Sequence, residues 1–97
     1  MALKALSEAE ISNGLAKLSS WKREGHEIVR QFKAKSFADS IRFVTLVAEK
    51  AEAADHHPDI LVQYDKVTLR LSTHDANGLT EKDFSLAAQA DKLFAGL

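Results

Sequence analysis

Cysteine is absent from the 97 residues. Disulfide staples, thiolate zinc sites and cysteine nucleophiles are therefore excluded. Proline occurs once and tryptophan and tyrosine once each, so no proline-rich linker or aromatic base-stacking array is on offer. Charge of either sign is not in excess: 13 Lys and Arg against 14 Asp and Glu leave a net −1. Such a balance gives no field for nucleic acid or anionic lipid, and neither is expected as a partner. No apolar run approaches the ~20 residues that span a bilayer, and the opening Met1-Ala2-Leu3-Lys4-Ala5-Leu6 lacks the apolar core of a secretory leader. A soluble, cytoplasmic protein is the expectation.

What is present is the composition of an ordinary globular domain, 45% hydrophobic and 28% charged. The length allows one domain, residues 1–97. Ser7-Glu8-Ala9-Glu10 has the form of a capping box, and Ile11, Leu15 and Leu18 follow at helical spacing, which predicts a helix near 8–18. Gly14 inside it costs about 1 kcal/mol relative to alanine, so packing must hold this helix. Trp21 to Glu24 reads as extended, Gly25-His26 as a turn, and Glu27 to Ala34 as a strand. A second helix is predicted from about 37 to 53. Phe37, Ile41, Val44, Ala48 and Ala51 form one stripe on it, and Phe43, Leu46 and Val47 another. One face can cover a sheet; the other is core or a contact with another subunit. Ile60 to Tyr64 and Val67 to Thr73 read as a hairpin, because Val67, Leu69 and Leu71 alternate with Thr68, Arg70 and Ser72. Thr80-Glu81-Lys82-Asp83 opens a last helix. The order α-β-β-α-β-β-α predicts an α+β fold: a single antiparallel sheet of about four strands, with three helices on one face and a more polar face opposite.

The chemistry concentrates in Ala54-Asp55-His56-His57-Pro58, which holds two of the four histidines. If Tyr64 pairs with Val67 around Asp65-Lys66, then His57 falls opposite His74, about 4.5–5.5 Å away at Cα. Three imidazoles then meet at one end of the hairpin, near Glu52, Asp55, Asp75 and Asp83. Pro58, without an amide donor, suits a strand start. Two chemistries are open. Three histidines can hold Zn²⁺, although neighbours in an extended chain point to opposite sides, which disfavours one shared ion. Alternatively, imidazoles titrating near neutrality give and take protons without a metal. Blander readings also apply: Asp83 as the acid of a capping box with Thr80, Tyr64 and Trp21 as packed aromatics, and His26 as a solvated turn residue.

Glu52, three residues, His56-His57-Pro58, then Tyr64, His74 and Asp83 resemble the signature of the pterin-4a-carbinolamine dehydratase family. Gln31-Phe32-Lys33-Ala34-Lys35-Ser36-Phe37 and residues 71–87 are similar to it as well. The resemblance implies dehydration of 4a-hydroxytetrahydropterin to quinonoid dihydropterin, with no metal and no organic cofactor, in a homodimer or homotetramer. It implies catalytic roles for His56, His57 and His74, with His56 and His74 moving protons. It implies substrate-side positions for Glu52, Asp55, Pro58 and Asp83, and a pocket-edge aromatic at Trp21. It also implies an alternative: some members serve as dimerisation partners of a transcription factor, so a protein-interaction module competes with the enzyme and with a His-rich metal site.

Overall fold

The computed structural model describes residues 4–97. Its elements are α1 (Glu8–Lys17), β1 (Lys22–Glu24), β2 (Glu27–Lys33), α2 (Phe37–Ala54), β3 (Asp59–Gln63), β4 (Lys66–Leu71), a 3-10 turn (His74–Ala76) and α3 (Glu81–Ala95). The four strands form one antiparallel sheet in the order β1-β2-β4-β3. This is the expected α+β architecture.

Local chemistry accounts for the helix starts. The Ser7 and Glu10 side chains cap each other's amides in a complete capping box. Ser36 Oγ accepts the Asp39 amide at the start of α2. Gly14 is explained by packing, since a Cβ there would stand 2.6 Å from the Phe84 ring of α3.

One sheet face carries Ile28 and Phe32 of β2 and Val67, Leu69 and Leu71 of β4, all buried. Phe43, Val47 and Ala51 of α2 and Leu86, Ala87 and Ala90 of α3 join them in the core. Arg30 also lies on this face, stacked 4.1 Å from the Phe32 ring centre and paired with Asp91 of α3 at 2.6 Å. The opposite face carries Gln31, Thr68 and Arg70, with Arg70 bound to Glu24 at 2.8 Å. Of the two stripes on α2, the one through Phe43 and Val47 is buried, whereas Phe37 and Ile41 stay exposed.

The hairpin register departs from expectation. Gln63 pairs with Lys66 and Ile60 with Leu69, so the turn is Tyr64-Asp65 rather than Asp65-Lys66. Tyr64 is not a packed strand aromatic: it sits at φ 57°, largely exposed. The physical reason lies in Asp65, whose carbonyl accepts the Ala34 amide at 2.7 Å and whose carboxylate binds Lys33. These bonds fix Asp65 inside the turn. A shift of two residues preserves which side chains face the core, because strands repeat every two.

Candidate active site

α2 ends on Asp55, in the left-handed conformation at φ 50°, ψ 45°. Asp tolerates this geometry better than most residues. The His56 amide then returns to the Ala51 carbonyl at 3.0 Å, closing the helix end. This reversal turns His56 inward, where it is 8% exposed, and leaves His57 outside. The convergence of histidines thus comes from a helix cap, not from the ladder: β3 begins only at Asp59, and His57 has no partner across it.

Behind His56 lies a closed hydrogen-bond network. His56 Nε2 is 2.6 Å from Asp83 Oδ1. Asp83 Oδ2 accepts the Thr73 hydroxyl at 2.8 Å and the Thr80 amide at 2.9 Å. Thr73 and Thr80 hydroxyls are themselves 2.8 Å apart. Thr73 spends its one proton on Asp83, so Thr80 is the donor between them. The Thr80 oxygen also receives the Lys82 amide. Asp83 is fully buried, and no buried side-chain polar atom among the described residues lacks a partner. With Asp83 as a carboxylate, which can only accept, the Oδ1 contact is one in which His56 donates Nε2–H. Its remaining nitrogen is Nδ1.

His57 Nε2 pairs with Glu52 Oε2 at 2.7 Å, with both side chains exposed. His74 opens the 3-10 turn, inside a loop closed by paired Thr73 and Gly78. Its ring has no hydrogen-bond partner among the described residues. A cavity of about 230 Å³ brings the three together, lined by Asp55, His56, His57, Ser72, Thr73, His74, Asp75 and Lys82.

The other expected site residues lie elsewhere. Glu52 is one step back, holding His57. Asp83 is behind His56 and does not reach the cavity. Pro58 is half-buried at the entrance to β3 and does not line it. Trp21 is 3% exposed in the core, and its indole donates to Asp91 at 2.9 Å. Ser72, Thr73, Thr80 and Lys82 escaped the sequence reading. Thr73 and Thr80 read only as strand and cap residues, and nothing in the sequence distinguishes Lys82 from any surface lysine. The groups around His56 and His57 do not converge on one point: each imidazole has its own carboxylate, and among the described residues no three His, Asp or Glu side chains stand where they could share a metal ion.

The family model for pterin 4 alpha carbinolamine dehydratase matches residues 4–93. The chain belongs to this family. Two relatives provisionally named pterin-4-alpha-carbinolamine dehydratases support the assignment. That of Chloroflexus aurantiacus is 57% identical over 88 residues, 91% of this chain and 95% of the relative. That of Roseiflexus is 54% identical over the same shares. Among solved structures, a transcriptional coactivator/pterin dehydratase from Brucella melitensis superposes with a TM-score of 0.90 at 34% identity, covering 93% of this chain and 98% of that one. A pterin dehydratase-like RuBisCO assembly factor of the alpha-carboxysome shares the fold alone, with a TM-score of 0.64 at 21% identity, covering 76% and 86%. For this pterin dehydratase family member, no helix among the described residues is long and apolar enough to cross a membrane.

Proposed function

We propose that the protein dehydrates a 4a-hydroxytetrahydropterin to quinonoid dihydropterin plus water by histidine acid–base catalysis without a metal, and so serves tetrahydropterin recycling. The reaction breaks the C4a–O bond and forms a C4a=N5 double bond. The leaving oxygen takes up one proton and N5 gives one up, so the exchange balances between an acid and a base and requires no oxidant. The observation that carries the reading is the His56–Asp83–Thr73–Thr80 network, which holds one buried imidazole against a buried carboxylate at the wall of a cavity shared with two exposed imidazoles.

The roles follow from hydrogen-bond capacity. His56 presents Nδ1 as an acceptor while Nε2–H stays on Asp83, which suits the base that takes the N5 proton. His74, exposed and able to draw protons from solvent, is the acid for the 4a-hydroxyl. His57, held by Glu52, binds the ring by hydrogen bonding. Asp83 positions His56 rather than touching substrate, while Asp55 and Lys82 face the cavity. A stopped-flow dehydration assay tests this: His56→Ala and His74→Ala each lower kcat about 10²-fold or more, the usual worth of a positioned acid or base. Wild-type kcat in both variants refutes the assignment.

A second role draws on the Brucella structure's description as a coactivator and on Phe37 and Ile41, which α2 exposes at 52% and 42%. In this reading α2 docks a partner helix. His→Ala variants that still capture such a helix in a pull-down would support a binding role independent of catalysis.

A further inference from the structure

His56 and His74 belong to different elements. One follows the end of α2; the other opens the 3-10 turn. Thr73 touches the supports of both. It lies between β4 and that turn and is 6% exposed.

Its side chain serves His56. The hydroxyl donates to Asp83 Oδ2 at 2.8 Å and receives the Thr80 hydroxyl at 2.8 Å. Its backbone serves His74. The Thr73 carbonyl accepts the Ala76 amide at 3.1 Å, which closes the turn that His74 opens. The Thr73 amide donates to the Gly78 carbonyl at 2.9 Å, so the far end of the loop is fastened to the same residue.

Thr73 also departs from local chemistry. It is the N-cap of the 3-10 turn, in extended geometry at φ −116°, ψ 99°. A threonine there ordinarily accepts an amide of the turn it precedes. Ser7, Ser36 and Thr80, the N-caps of the three α-helices, each do so. The Thr73 side chain makes no such bond. Its hydroxyl is committed to Asp83 and Thr80 instead. A local preference given up for a distant buried partner is the kind of conflict that concentrates at functional sites.

We infer that Thr73 is a positioning residue that joins the two histidines: its hydroxyl holds Asp83, and through it His56, while its backbone holds the turn that carries His74. The inference rests on the dehydratase reading above. Asp83 Oδ2 has two donors, and they differ in origin. The Thr80 amide belongs to the same helix cap as Asp83, so it fixes the carboxylate only within α3. The Thr73 hydroxyl ties that carboxylate to the His74 loop. Threonine is stiff at χ1, so hydroxyl and backbone move together.

The test uses Thr73→Val, which keeps the shape and removes the hydroxyl, and Thr73→Ser, which keeps the hydroxyl. Thermal melts establish that each is folded at the assay temperature. Should Thr73→Val not fold, Thr73→Ala takes its place, with no methyl group set against the Asp83 carboxylate and the same outcome expected. In the stopped-flow dehydration assay kcat falls about tenfold or more in Thr73→Val, since misplacing a reacting group by an ångström can cost about 10²-fold. KM stays within about twofold, because the lost contact is not one with substrate. Thr73→Ser recovers most of the loss. The His56 Nε2–H proton, followed by NMR without substrate, shifts and exchanges faster with water in Thr73→Val and returns in Thr73→Ser. Wild-type kcat with an unmoved Nε2–H proton in Thr73→Val overturns the inference while the dehydratase reading stands. Equal losses in Thr73→Val and Thr73→Ser overturn it in favour of packing, and a rise in KM at unchanged kcat overturns it in favour of a substrate contact. If wild type does not turn over a 4a-hydroxytetrahydropterin, the dehydratase reading falls and takes the inference with it.

Discussion

Asp83 shows how one residue can serve two structures. Its Oδ2 closes the α3 capping box with the Thr80 amide, while Oδ1 holds His56. Asp83→Ala removes the acceptor of three buried donors. Breaking a buried ion pair or network by deleting one partner costs about 3–5 kcal/mol, so urea unfolding will show a large loss of stability. Asp83→Asn is the sharper probe. Its amide nitrogen cannot accept from His56, so the histidine loses its enforced tautomer. We expect kcat to fall about tenfold or more with KM little changed and the melt less affected than in Asp83→Ala. Glu52→Gln, in contrast, alters an exposed pair, and such pairs contribute only ~0–1 kcal/mol; its melting temperature should match wild type.

At the scale of elements, two local departures from ideal chemistry can be tested. Tyr64 occupies a left-handed turn position that suits glycine or asparagine, and it is 71% exposed, so it gains little packing. Tyr64→Gly should raise stability by about 0.5–1 kcal/mol, read from chemical denaturation. Gly14→Ala pits a helix-propensity gain of about 1 kcal/mol against overpacking on Phe84, which costs about 1–3 kcal/mol. The variant should lose stability in the wild-type background and gain it in a Phe84→Ala background. The same turn carries an acid response. The hydrogen bond from Lys33 holds the Asp65 carboxyl below the usual carboxylate range. A lowered folded-state pKa contributes stability above the unfolded value and loses it as pH falls through the folded one. Asp65→Asn should therefore lose less melting temperature than wild type on acidification from about pH 5 to pH 2, the region where carboxylates titrate. The helices and strands were legible because caps and periodicity are local. The hairpin register was not, because Asp65 is fixed by Lys33 and Ala34 from a different strand pair.

At the scale of the molecule, the exposed large apolar side chains of the described residues, apart from Tyr64 in the hairpin turn, are Phe37 and Ile41 on α2 and Ile60 and Leu61 on the edge strand β3. An unpaired edge and an apolar helix face both invite association. We propose a homodimer or homotetramer on this basis. Light scattering should give a mass above the 10.7 kDa monomer, and Ile41→Lys or Leu61→Lys should reduce it. A monomeric wild type would overturn the proposal.

The amino-acid pattern by itself determined the element order, the alternating core face of β4 and the candidate histidines His56, His57 and His74. These depend on short-range periodicity and on residue chemistry. Tertiary structure alone decided the rest. It turned His56 inward through the left-handed cap at Asp55, set Asp83 behind it rather than at the cavity, placed Trp21 in the core on Asp91, and brought Lys82 to the edge of the site. Each of these depends on which elements end at the same end of the sheet, a relation between residues far apart in the chain that no local spacing encodes.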